Sequence, residues 1–188
     1  MPIPIFHVAD GGSVTQISGT IPARGRTMVP TSALFPGFIG SALYIGDGIP
    51  VAAMTTVTRD DGGPNFEAVS AANYTGEGVG SRLSLPFVRS TTTPIDTKPK
   101  TYLAIQNVGT SSVDVQVKYI NAGGSEVPGD TLTIEPGRKK SSAPPLEFGY
   151  APYGGSALVE AVNGTGRLGG IVRTAGTTTG EDSNGIPF

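Results

Sequence analysis

The sequence predicts an all-β protein built from two sandwich-like units. Three observations carry that prediction. Apolar residues recur with period two in short runs, and Gly, Pro, Asn and Asp punctuate those runs. Gly (28) and Pro (16) together make up nearly a quarter of the 188 residues. The same motif appears twice, as "GFIGSALYI" at Gly37–Ile45 and as "PYGGSALVE" at Pro152–Glu160.

The strands are clearest in the second half. "SRLSLPFV" (81–88) predicts a strand with Leu83, Leu85 and Phe87 facing inward. "TYLAIQNV" (101–108) places Tyr102, Ala104 and Gln106 on one face and Leu103, Ile105 and Asn107 on the other. "VDVQVKYI" (113–120) alternates strictly, with Val113, Val115, Val117 and Tyr119 inward. "NAGG" (121–124) reads as a hairpin turn, because Asn and Gly tolerate positive φ. "DTLTI" follows, then the turn "EPGRKK", and "PLEFG", "GSALVEAV" and "GRLGGIVRTA" complete the set. Seven short strands in about 95 residues predict a β-sandwich of immunoglobulin-like size.

The first half repeats part of this pattern. "VADGGSV" (8–14) matches "INAGGSEV" (120–127), and "GTIPARGR" (19–26) matches "LTIEPGRK" (132–139). "FPGFIGSALYI" matches "YAPYGGSALVE", and "IPVAAMTTVTR" (49–59) matches "GRLGGIVRTAG" (166–176). Nothing before Pro2 answers to the segments 81–88 and 101–108. The chain therefore reads as about one and a half repeats. A partial unit covers 1–78, "YTGEGVG" forms the joint, and a complete unit with a C-terminal tail covers 79–188.

Composition narrows the function. Charged residues are 15% of the chain against about 25% in an average protein. The net charge is −2, and no basic stripe exists to follow a phosphate backbone, so nucleic acid is not an expected partner. No run of 18 apolar residues predicts a membrane span. The opening "MPIPIFHVADGG" has neither a basic stretch nor a long apolar stretch and does not read as a secretory signal. With no cysteine, disulfides, thiolate nucleophiles and Cys-ligated metals are excluded.

The chemistry-bearing residues are few. His7 is the only histidine, and a lone strand histidine reads as structural rather than as part of a triad. A zinc site is not expected from one His and no Cys. Asp60-Asp61 and Glu181-Asp182 are the densest acidic spots, each in a Gly- and Asn-rich stretch where Asp caps local backbone groups. Calcium at Asp60-Asp61 is an alternative, although the Asp-x-Asp-x-Asp-Gly spacing of a dedicated loop is missing. "GRKKSS" (137–142) reads as a solvated basic turn, and the sequons at Asn73 and Asn163 as weak glycosylation signals. "TTTPIDTKPK" (91–100) reads as a Pro- and Thr-rich loop. No catalytic residues and no cofactor are expected.

The motifs "SLPFV", "TYLAIQNVGTSSVDVQVKYINAGGSEV", "TLTIEPG", "GGSALVEA" and "GGIV" resemble a β-sandwich, immunoglobulin-like repeat found in tandem in secreted and cell-surface proteins of bacteria. The resemblance covers 81–174 well and 4–73 partly. It implies an extracellular structural or adhesive role and carries no catalytic residues.

The missing strands make the sharpest expectation. Each would bury two or three apolar side chains at about 1.5–3 kcal/mol apiece, so a unit without one lacks roughly 4–8 kcal/mol. That is comparable with the whole stability of a domain, about 5–15 kcal/mol. A neighbouring copy lending a strand head-to-tail would fill the gap and propagate a pilus-like fibre. The candidate donors are Pro4, Ile5 and Phe6 near the N-terminus and Ile186, Pro187 and Phe188 at the C-terminus. The chain is thus expected to be a non-enzymatic homopolymer subunit at the cell surface. An adhesive or glycan-binding module of a larger surface protein, with surface glycans as partners, and a virion decoration or tail protein are the alternatives.

Overall fold

A computed structural model describes residues 2–9, 13–23, 26–27, 40–44, 55–59, 66–70, 79–89, 100–149, 154–175 and 180–188. Within them the chain is antiparallel β throughout, with one short 3-10 turn.

The second half forms two facing sheets. One contains β6 (Arg82–Val88), β8 (Val113–Ile120), β9 (Glu126–Ile134), β11 (Gly155–Ala161) and the short β14 (Ile186–Pro187), in the order β14-β6-β11-β8-β9. The other contains β7 (Lys100–Asn107), β10 (Lys139–Ser142), β12 (Leu168–Ala175) and β13 (Gly180–Asn184), in the order β10-β7-β12-β13. Leu83, Leu85, Val115, Val117, Tyr119 and Val159 from the first sheet meet Leu103, Ile105, Leu168 and Val172 from the second in one buried core. Period-two alternation produces this packing directly: the burial of β8 alternates along its length, with its odd-numbered residues inside. The result is a two-layer β-sandwich.

Three local expectations are corrected. Phe87 is 54% exposed, and Val88 takes the inward place. The pairing of β6 with β11 slips by one residue between Gly155 and Ser156, and Phe87 takes up the slack at φ 61°. A bulge of this kind turns the following side chain to the other face. The segment "PLEFG" is not a strand: Leu146–Phe148 is a 3-10 turn following Pro144 and Pro145, which lack the N–H groups a ladder needs. The missing strand is instead β10, inside the stretch read as a solvated basic turn.

The first half supplies β1 (Pro2–Ala9), β2 (Val14–Thr20) and β3 (Gly40–Tyr44) in a sheet ordered β2-β1-β3. A separate hairpin pairs β4 (Thr55–Arg59) with β5 (Phe66–Ser70), and β5 approaches β13. Ile5, at 2% exposure, anchors the inner face of the three-stranded sheet.

Candidate assembly site

The three strands of the first sheet reproduce a piece of the second half pair by pair. In β3 and β1, Tyr44 lies opposite Ile5, Leu43 opposite Phe6, Ala42 opposite His7 and Ser41 opposite Val8. In β11 and β8, Val159 lies opposite Val117, Leu158 opposite Lys118, Ala157 opposite Tyr119 and Ser156 opposite Ile120. On the other side of the central strand, His7–Thr15 and Val8–Val14 correspond to Tyr119–Val127 and Ile120–Glu126. The order β2-β1-β3 is thus the order β9-β8-β11, with Gly-Ser-Ala opening both β3 and β11. Ile5 and Val117 hold the same buried place.

The difference lies at the outer edge. Strand β11 is covered by β6, which pairs with it from Arg82 to Val88. Strand β3, among the described residues, has β1 as its one ladder partner. Strand β12 lies between β7 and β13, whereas β4 pairs with β5. The positions that β6 and β7 fill in the second half have no counterpart among the described strands of the first.

The C-terminal segment is the next component. Residues 180–184, read from sequence as a turn-rich tail, form β13 along the edge of β12, and Glu181 and Asp182 are strand residues. The Gly185 N–H donates to the Gly170 carbonyl at 2.7 Å, and there the chain crosses from one sheet to the other. Ile186 then lies opposite Ser84 and Pro187 opposite Leu83. Ile186 and Phe188 are each 59% exposed, whereas Pro187 is half-buried. The Arg82 guanidinium stacks 4.4 Å from the Phe188 ring centre. It also bonds Glu160 at 2.7 Å, and Lys118 reaches the other Glu160 oxygen at 3.5 Å. A two-residue strand, the Phe188 N–H donating to the Arg82 carbonyl at 3.4 Å and one cation–π contact hold a pair of large apolar side chains mostly in water.

The N-terminal candidates sit differently. Pro4, Ile5 and Phe6 belong to β1, the middle strand of its sheet, with β2 on one side and β3 on the other. A central strand is committed to two ladders and is not a loose end.

His7 is also a β1 position, opposite Thr15 and Ala42. Asp60, Asp61, Asn73 and the loop 91–99 lie outside the described residues. Asn163 is exposed, and its side-chain oxygen accepts the Thr165 N–H at 3.3 Å. Among the described residues no group of three His, Cys, Asp or Glu is placed to hold a metal.

Sequence reading missed one polar cluster, in which Tyr119 and Ser142 are buried and Asp130 is exposed. The Tyr119 hydroxyl lies 2.6 Å from Ser142 Oγ, and Ser142 Oγ donates to Asp130 Oδ2 at 2.6 Å. Burial raises the Tyr119 pKa well above its ordinary 10.0, the Ser142 hydrogen bond opposes this, and the Asp130 charge adds to it. The three residues come from β8, β10 and β9, so the cluster ties the two sheets together where β9 crosses to β10. It keeps a buried phenol satisfied. Comparison with protein-family models, curated proteins and solved structures finds no significant match for this chain.

Proposed function

We propose that the protein is a non-enzymatic structural subunit of an extracellular or cell-surface filament, in which immunoglobulin-like sandwich units join head-to-tail by exchanged strands. One observation carries this reading: four successive pairs of β3 with β1 match four pairs of β11 with β8 in register, yet the place of β6 beside β3 has no described occupant. A β-strand from a neighbouring copy is the occupant this edge fits.

The C-terminal segment is the favoured donor. It is held on β6 by two ladder positions, and Ile186 and Phe188 alternate along it toward solvent. Burying their exposed portions would contribute about 2–4 kcal/mol, against about 0.5–1 kcal/mol for the Phe188–Arg82 contact given up. Low charge and a turn-punctuated sandwich suit such a surface role, and the subunit needs no cofactor.

Electron microscopy tests the reading. Wild-type protein should form regular fibres, and deletion of Ile186–Phe188 should abolish them without changing far-ultraviolet circular dichroism. Fibres of the truncated chain indistinguishable from wild type would remove the C-terminal donor. A wild-type chain that stays monomeric at high concentration would remove strand exchange altogether. Deleting Met1–Phe6 is not a clean companion, because it strips the centre of β1.

A further inference from the structure

Sheet edges divide sharply between the two halves of the chain. In the second half every edge strand carries a feature that blocks further pairing, the adjacent acids Glu181 and Asp182 in β13 among them. Strand β10 presents Lys139 and Lys140 side by side. Strand β9 contains Glu126, Pro128 and Asp130, and its register with β8 shifts between Gln116 and Lys118. Strand β14 is two residues long and contains Pro187. Strand β2 occupies in the first sheet the place β9 holds in the second, and it has none of these features. Its sequence "VTQISGT" has no charge and no proline, and it pairs with β1 without a register shift from Thr20 to Val14. Nor is it covered. Val14 is 56% exposed, and Thr15, Gln16, Ser18 and Thr20 are exposed with it. Among the described residues β1 is its one ladder partner.

We infer that the free edge of β2 is a homotypic docking surface, at which β2 of a second copy pairs antiparallel about a two-fold axis through Ile17. The sequence of β2 is complementary to itself in that register. Ile17 meets Ile17 of the second copy, Gln16 meets Ser18, Thr15 meets Gly19 and Val14 meets Thr20. No like charges face each other, because the whole stretch 13–23 is uncharged. Ile17 lies opposite Ile5 in the β1 ladder, so the pairing extends the inner apolar face of one sheet into the next. The contact is isologous and closes on itself as a dimer. It uses the opposite edge of the sheet from β3, so it is independent of head-to-tail strand exchange and could join two fibres side by side.

Cysteine crosslinking in the full chain is the test, and the natural absence of cysteine makes it unambiguous. Ile17→Cys should give a covalent dimer under mild oxidation, seen on a denaturing gel, because the two sulfurs meet across the axis. Val14→Cys should not, because its partner position is Thr20. With one cysteine per chain the covalent product stops at a dimer even inside a longer fibre. Gln16→Lys combined with Ser18→Lys places lysines opposite lysines, and should abolish crosslinking in the Ile17→Cys background. Mixing that chain with one carrying Gln16→Glu, Ser18→Glu and Ile17→Cys should restore it. All four charge substitutions are at exposed positions, so the fold tolerates them. Equal crosslinking at Val14→Cys and Ile17→Cys, or no crosslinking at Ile17→Cys at high concentration, overturns the inference. Either result leaves the fibre test of the C-terminal donor standing.

Discussion

Gly155→Ala should destabilise the second sandwich sharply. Gly155 opens β11, and a Cβ there would clash with the Ile120 carbonyl oxygen and lie 2.8 Å from Phe148 Cζ. Neither neighbour can yield easily. Ile120 ends β8 and is held opposite Ser156 on one side and Glu126 on the other. The Phe148 ring is 4% exposed and packs edge-to-face on Tyr119, centroids 5.9 Å apart. The start of β11 must therefore lift away from β8. Overpacking costs about 1–3 kcal/mol, and a lost ladder hydrogen bond costs about 0.5–1.5 kcal/mol more. Restricting the unfolded chain returns less than about 1 kcal/mol. The expected net loss is about 0.5–4 kcal/mol, and the melting temperature of a unit this size should fall by about 4–8 °C for each kcal/mol lost. Urea unfolding followed by far-ultraviolet circular dichroism measures it. A variant with an unchanged or higher midpoint would refute the claim that β11 approaches β8 and Phe148 too closely at Gly155 for a side chain.

Two further outcomes follow from buried polar groups. Asn107→Ala should cost about 2–4 kcal/mol in urea unfolding. Its side-chain nitrogen donates to the Ser111 and Ile134 carbonyls at 2.8 and 2.9 Å, and its oxygen accepts the Gly109 N–H at 2.9 Å. Stability should be level with respect to Tyr119 below pH 10 and fall as pH rises above it, because the unfolded phenol ionises near 10.0 while burial keeps the folded one neutral. Tyr119→Phe should flatten that alkaline slope in midpoints measured from about pH 8 to about pH 11, and cost about 1 kcal/mol at neutral pH for the lost Ser142 bond.

The strands legible in the sequence are those whose two faces differ. Strands β7 and β8 bury Leu103, Ile105, Val115 and Val117 and expose Tyr102 and Gln116, so period two shows in the residues themselves. Edge strands gave no such signal. Strand β10 reads "KKSS" because an edge can be charged on both faces, and β13 reads "GEDSN" because its ladder to β12 needs only backbone groups. Phe87 looked like core because alternation assumes a constant register, and the bulge beside Gly155 breaks that assumption. The Tyr119–Ser142–Asp130 cluster had no local signature, since three strands bring it together. The C-terminal donor was visible as "IPF" only because Ile186 and Phe188 are apolar at alternate positions. That this segment begins on its own β6 was not visible, because strand pairing is a non-local property.

The correspondence between the two sheets gives the edge argument its force. A bare edge strand taken alone could reflect nothing more than a short local sequence. Here the same place in the same sheet order is occupied twice within one chain, by β9 and by β2, under the same folding rules. Strand β9 carries Glu126, Pro128, Asp130 and a bulge, whereas β2 carries seven uncharged residues in unbroken register with β1. The other edge differs in the opposite sense: β11 is closed by β6, and β3 has no described outer partner. Among the described strands, the uncharged and unblocked edges thus belong to β2 and β3 of the first half. In the assembly proposed above, a strand added beside β3 would stabilise the first half, whose described strands lack that neighbour, because whatever binds only the folded form stabilises that form.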